Sequence, residues 1–361
     1  MLQILLIAFL VLPLSGCLTK PAATGRDYEV VAMVPGNLWI EMKDDIRGIL
    51  ERPIFGVHTE KAFRVIQTLP QHPEPYHTWR KILVVGTIED TPVVRELLDE
   101  QELTNVEPDK IYLKPMNNVW ASGQFVLLLY TEKSESLRGA LTTASESVFD
   151  LINDAFLEEE WYRMYTSGEN TETHDYFLEN YGFSLEMPKI YRLADEDTLE
   201  VSLEDGSTVE MNAVRLFNLN PHRSFVVCWK EGVMNELDGE RIRLLRQAIG
   251  RMYYPGDELL TERVETTRAT FNEHDAIKLR GVWENRERLQ GGLFLSYAFN
   301  CPENDRFYLI DGILFHPDPE RSKYPYLVQM SIILHSFGCS ADTSSDRSSE
   351  DRFRISMEDL F

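Results

Sequence analysis

Residues Leu2 to Leu14 form an apolar run broken only by Gln3. A helix that crosses a bilayer needs roughly 20 apolar residues, so this run is too short to span one. Its length fits the hydrophobic core of a signal peptide, a segment removed from the mature chain. The rest of the sequence must then fold without it. The run ends in Leu14-Ser15-Gly16-Cys17, with small residues just before the cysteine. No Lys or Arg precedes it, whereas signal peptides usually begin basic. The free amino terminus, or a start further upstream, would supply that charge.

Leu14-Ser15-Gly16-Cys17 resembles the lipobox read by bacterial lipoprotein signal peptidase. The resemblance implies diacylglycerol on the Cys17 thiol, cleavage before Cys17, and acylation of the new amino group. Each buried methylene of such a chain contributes about 0.8 kcal/mol, and two or more chains make the attachment stable. The expected partner is thus a membrane, reached through lipid on Cys17, and the expected location is the bacterial cell envelope. Leu18, and not Asp, follows the cysteine. By resemblance to proteobacterial sorting this points to the outer membrane over the inner.

The chain has 361 residues, 43% of them hydrophobic. Single cores seldom grow past about 250–300 residues, so two domains are expected. The formal charge of −23 repels phosphate backbones, and no nucleic-acid partner is expected. It also disfavours lying flat on anionic lipid and suits a lipid tether. Besides Cys17 the cysteines are Cys228, Cys301 and Cys339, enough for one disulfide and one free thiol. Cys228 lies in the apolar run Ser224 to Trp229 and reads as a small buried hydrophobe. Cys301 and Cys339 sit near element ends, and an oxidising compartment permits a bridge between them without demanding it.

Residues 1–16 read as signal peptide, and 17–26 as a polar linker from the lipid. Within 27–168, strands are expected at Tyr28–Val34, Thr78–Gly86, Lys110–Lys114 and Gln124–Tyr130. Helices are expected at Lys43–Glu51, Thr91–Glu102 and Leu137–Tyr165, on apolar positions at helical spacing. The polar stretch Thr166 to Thr173 marks a boundary. Within 174–339, alternation predicts a strand at Tyr181–Pro188 and a hairpin around Asp205-Gly206. Further strands fall at Ser224–Lys230, Leu293–Asn300 and Phe307–Phe315. Asp238 caps a helix to Tyr253, and another begins at Ser322. Residues 340–361 are too polar and acidic to order themselves. The expected class is α+β, with two related domains, each an antiparallel sheet packed with helices.

No Gly-x-Gly-x-x-Gly, phosphate loop, His-Glu-x-x-His or Gly-x-Ser-x-Gly occurs. Asp195-Glu196-Asp197 lacks the Gly and closing Glu of a calcium loop. The eight histidines show no metal-ligand spacing. No catalytic, cofactor-binding or metal-ligating residues are assigned, and no cofactor is expected. Two segments stand out. Leu69-Pro70-Gln71-His72-Pro73-Glu74-Pro75 is stiff and extended, suited to presenting side chains or lining a domain edge. In Arg280-Gly281-Val282-Trp283-Glu284, followed by Gln290-Gly291-Gly292, Trp283 offers a stacking face, Arg280 a donor fork and Glu284 an acceptor. Alternation sets Trp283 on the face opposite Arg280 and Glu284. Trp39, Arg280, Trp283 and Glu284 are the candidate ligand or partner contacts.

The lipobox, the Trp39 region, the Pro-rich segment and the Arg-Gly-x-Trp-Glu…Gly-Gly segment together resemble an uncharacterised family of Bacteroidetes-type lipoproteins with a domain of unknown function. That family brings no catalytic residues to carry over. The second half is similar in outline to the PsbP-like α/β/α sandwich, through Gly182 to Pro188 and Ile332 to Phe337. That fold commonly serves as an accessory module, a fold-level analogy only. The expected function is a non-catalytic envelope lipoprotein that binds or assists another envelope component. The alternative is a hydrolase acting on envelope lipid or glycan.

Overall fold

The computed structural model describes residues 20–339, except 58, 59, 72, 73, 109, 204, 205 and 320. The signal peptide, Cys17, His72 and the acidic tail lie outside the described residues. Among the described residues no helix is long and apolar enough to cross a membrane.

The first domain runs β1 (Glu29–Met33), α1 (Gly36–Leu50), β2 (Pro53–Ile54), β3 (Glu60–Lys61), β4 (Arg64–Thr68) and β5 (Lys81–Thr87). It continues with α2 (Pro92–Glu96), α3 (Glu100–Thr104), β6 (Tyr112–Asn117), β7 (Phe125–Thr131), α4 (Leu137–Thr143) and α5 (Ser145–Met164). Its main sheet has the order β4-β1-β5-β7-β6. The first four strands are parallel, and only β6 runs against its neighbour. The α+β class stands, but an antiparallel first sheet does not. The reason lies in burial. Ile82 to Val85 and Val126 to Leu129 are covered on both faces, the condition of parallel strands flanked by helices. Val30, Leu83 and Leu127 face α1, α4 and α5. Val31, Val84 and Leu128 face α2 and α3.

The second domain runs α6 (Thr171–Tyr181), β8 (Arg192–Ser202), β9 (Thr208–Leu219), β10 (His222–Glu231), α7 (Gly239–Tyr253) and β11 (Asp257–Phe271). Then come β12 (His274–Asn285), β13 (Gln290–Cys301), β14 (Arg306–Phe315) and α8 (Tyr324–His335). The seven strands are antiparallel throughout, in the order β11-β12-β13-β14-β10-β9-β8. Seven antiparallel strands against a five-stranded mixed sheet do not share a plan, so the two domains are not related copies. On one face of this sheet, Ile242, Leu245 and Ile249 of α7 pack on Val226, Leu279 and Leu309. On the other, α8 packs on Val227, Leu295 and Tyr297.

Helix α8 buries Leu327 to Leu334 without a break. A helix apolar all round must be covered on all sides. Here the seven-stranded sheet covers one side and α5 the other. Phe63 and Phe156 of the first domain pack on Tyr324 of α8, and Phe149 packs on Phe63 behind them. The Phe156 ring stacks on Tyr324 with centroids 5.0 Å apart. One apolar cluster therefore runs through both domains.

Local rules explain the other departures. α1 begins at Gly36, seven residues before the expected start, with Pro35 at its N-cap, where a missing N–H costs no intrahelical hydrogen bond. The expected helix at 91–102 breaks where Asp99 caps α3 with a reciprocal Glu102 contact. The helix at 137–165 breaks at Ala144. α6 begins inside the polar boundary and runs beyond it, capped by Asn170 and closed by Gly182 at φ +73°. Tyr181–Pro188 joins no sheet; Ser184 bridges Gly338 instead.

Candidate functional site

The structure does not gather the four candidate contacts. Trp39 sits half-buried on α1 with the Arg47 guanidinium 5.7 Å from its ring centroid. Arg280 pairs with Glu265 across β11–β12 at 2.6 Å. Its guanidinium also lies 5.4 Å from the Phe55 ring of the first domain. Glu284 pairs with Arg286 at 2.6 Å. Trp283 is only 5% exposed and belongs to the core under α7.

The glycines of that motif explain its pattern. Trp283 stands opposite Gly292, and Gly281 opposite Phe294. A Cβ on Gly292 would come within 2.0 Å of the Leu314 carbonyl oxygen and 2.9 Å of the Trp283 ring. A Cβ on Gly281 would come within 2.4 Å of Phe294. Arg-Gly-x-Trp-Glu…Gly-Gly is thus a packing pattern, in which Gly281 and Gly292 each make room for an aromatic ring across the strand.

Sequence reasoning missed a polar seam between the domains. Lys81 opens β5 and is 1% exposed; it bonds Glu159 of α5 and the Asp27 carbonyl at 3.0 Å. Burial pulls its pKa down, against the attraction of Glu159. Arg163 reaches Glu159 at 3.0 Å and Glu160 at 2.8 Å. Glu160 is fully enclosed, and Gln329 of α8 donates to its other oxygen at 2.7 Å. Gln329 in turn accepts from Arg223 of β10. Desolvation raises the Glu160 carboxyl to about 7, despite Arg163 and Gln329. A raised carboxyl next to a lowered one, Glu159, is the ionisation pattern of an acid–base pair. Glu160 nevertheless has no exposed surface, and both its oxygens are bonded within the fold. The seam is therefore structural. Its signal was faint: Glu159 and Glu160 sit in a helix stretch that reads as a solvated acidic face.

In open parallel sheets, ligands usually settle at the carboxyl ends of the strands. Here that edge closes on itself. The Thr91 hydroxyl accepts from Thr87 N at 3.1 Å. The Thr87 hydroxyl accepts from Asp90 N at 3.1 Å, and Thr131 donates to the Lys133 carbonyl at 2.7 Å.

The opposite edge, where β1, β5 and β7 begin, carries the incoming chain. Residues 20–26 do not form a free linker. Ala22 bridges Ser122 and Thr24 bridges Trp79. Ala23 N donates to Ser122 O at 2.8 Å, Thr24 N to Thr78 O at 2.8 Å, and Arg80 N to Thr24 O at 2.8 Å. Lys20 Nζ donates to Asn118 O at 2.5 Å. Gly25 has φ +87°, and a Cβ there would lie 2.3 Å from the Trp79 indole nitrogen. Only glycine lets the strap turn this closely over the ring. The strap residues are short and polar, so their composition matched a linker while their backbone hydrogen bonds were invisible.

At the far end of the second domain, Cys301 and Cys339 form a disulfide, and Cys228 stays a buried free thiol. Burial drives the Cys228 thiol far above the usual range. His274 and Glu303 stand beside the disulfide. The four donor atoms of His274, Cys301, Glu303 and Cys339 all lie within 4.8 Å of one another.

Residues 23–165 match a family model described as Domain of unknown function (DUF8532). Residues 170–336 match a second, Domain of unknown function (DUF4837). The chain is thus similar over both domains to uncharacterised families. No curated protein matches it.

Proposed function

We propose that this chain is an envelope lipoprotein whose two-domain body is a non-catalytic binding or accessory module, held against a membrane by lipid on Cys17. The docked strap carries the reading. Hydrogen bonds fix the chain from Lys20 onward to the edge formed by Asn118, Ser122, Thr78 and Trp79. Only Leu18 and Thr19 separate Lys20 from Cys17, a distance of three residue steps. An extended chain spans at most about 3.3–3.6 Å per residue, so the lipid attachment lies within roughly 10 Å of that edge. A tether that short gives the body an orientation as well as an address. The amino ends of β1, β5 and β7 face the bilayer, and the second domain is available to a partner.

One observation favours a binder over a hydrolase: the raised carboxyl of Glu160 is sealed inside the seam, out of reach of a substrate. The helix–sheet–helix layering of the second domain agrees in outline with the PsbP-like modules that serve accessory roles. The test is membrane fractionation with labelled fatty acid. The wild-type chain should incorporate label and sediment with membranes, and Cys17→Ser should do neither. A Cys17→Ser chain that stays membrane-bound would refute the anchor. Failure to recover any reproducible partner from detergent-solubilised envelope would count against the accessory role.

A further inference from the structure

We propose that His274, Cys301, Glu303 and Cys339 form a site for a single zinc-like divalent cation when the two cysteines are reduced, and that the Cys301–Cys339 disulfide is the oxidised, metal-free form of the same site. Three elements converge there. His274 opens β12 directly after a two-residue turn, Asn272-Glu273, in which both residues have positive φ. Cys301 ends β13, Glu303 follows it, and Cys339 lies just beyond α8.

The donor set is chemically coherent. Two thiolates, one imidazole and one carboxylate suit a tetrahedral borderline-soft cation. With metal–sulfur bonds of about 2.3 Å and metal–nitrogen bonds of about 2.0 Å, tetrahedral donors stand about 3.5 Å apart. His274 Nε2 already lies 3.5 Å from Cys339 Sγ, and Glu303 Oε2 lies 3.0 Å from Cys301 Sγ. Sulfurs bonded to each other carry no hydrogen to offer that carboxylate. A cation between them would satisfy both.

The site is held in place without the disulfide. Asn272 Nδ2 donates to the carbonyls of His335 and Phe337, at 3.2 and 2.7 Å. Asn304 Nδ2 donates to the Cys339 carbonyl at 2.9 Å. Ser184 and Gly338 exchange both backbone hydrogen bonds, at 2.8 and 3.0 Å. Breaking the S–S bond therefore lets the sulfurs part by side-chain rotation while the backbone stays put. The exposed Glu303 leaves an approach from solvent, and the buried cysteines shield the sulfurs.

The chemistry balances. A dithiol reductant delivers two electrons and two protons to the S–S bond and becomes a disulfide itself. The cation then takes both sulfurs as thiolates and releases two protons.

Cobalt(II) is the probe, because tetrahedral thiolate coordination gives visible ligand-field bands and near-ultraviolet charge-transfer bands. The detergent-purified full chain, reduced and freed of metal by chelation, should bind one equivalent of cobalt with both sets of bands. The oxidised chain should bind none. His274→Ala and Glu303→Gln leave the disulfide possible and should each weaken binding at least tenfold, whereas Cys301→Ser should abolish the charge-transfer bands. If the reduced chain loses its fold without metal, zinc should restore its near-ultraviolet circular dichroism. A folded reduced chain without thiolate–cobalt bands, affinity unchanged in His274→Ala and Glu303→Gln, or an unfolded reduced chain that zinc fails to rescue would each overturn the proposal.

Discussion

At the scale of single residues, the buried charges set the strongest expectations. Glu160 titrates near 4.5 when unfolded and at about 7 in the fold. The folded chain therefore holds a proton through this window that the unfolded chain has lost. That contribution is complete below about 4.5 and is lost as pH rises to about 7, by roughly 3 kcal/mol. Glu160→Gln keeps the Gln329 contact and removes the titration. In urea unfolding, its stability relative to wild type should improve by up to about 3 kcal/mol between pH 4.5 and 8; parallel profiles would contradict the assignment. Asp311 is a second case. It accepts both arms of buried Arg246 at 3.1 Å and the Ser296 hydroxyl at 2.6 Å. Asp311→Ala strands the guanidinium under α7 and should cost about 3–5 kcal/mol in the same assay. A cost below about 1 kcal/mol would mean that water reaches Arg246.

At the scale of elements, the strap decides most. Gly25→Ala should collide with Trp79 and loosen residues 20–26. Trypsin should then cut after Arg26 at least tenfold faster than in wild type, with the body still folded; equal rates would show that the strap does not depend on that turn. What the sequence could reveal here follows from how each element is stabilised. β10, β13 and β14 are continuous apolar runs, and α7 carries its cap and its buried stripe within its own residues. These were legible. β11 was not, because it is an edge strand whose Glu262, Glu265, Thr267 and Arg268 face solvent, without the alternation of a half-buried strand. The strap was hidden because backbone bonds to distant residues hold it. The parallel pairing of the first sheet was readable in principle from runs apolar on both faces. Of the candidate contacts, only alternation along β12 was legible. It set Trp283 apart from Arg280 and Glu284, whereas the cross-strand glycine partners depend on register. The Cys–His–Glu cluster joins positions 274, 301, 303 and 339, too far apart in sequence for any spacing rule.

At the scale of the whole molecule, the shared core makes two domains into one folding unit. α8 belongs to the second domain by sequence but is covered by α5 of the first. Tyr324 bonds Asn153, Lys323 pairs with Glu60 at 3.3 Å, and Arg263 reaches the Val57 carbonyl at 2.6 Å. Neither half can leave without exposing α8, so calorimetry should show one cooperative transition; two resolved transitions would mean that the seam is weaker than its burial implies. A single rigid body on a short tether must also hold a fixed attitude to the membrane. The direct measurement is depth by fluorescence. Separate single labels would be placed at Ser122→Cys, beside the strap, and at Glu89→Cys, at the far end of β5, and quenched with brominated lipids in vesicles carrying the lipidated chain. The two edges are about 20 Å apart along β5, from seven residues at about 3.3 Å each. The account predicts strong quenching at Ser122 and little at Glu89. Equal quenching at both, or the reverse order, would contradict a body held by its strap edge against the bilayer.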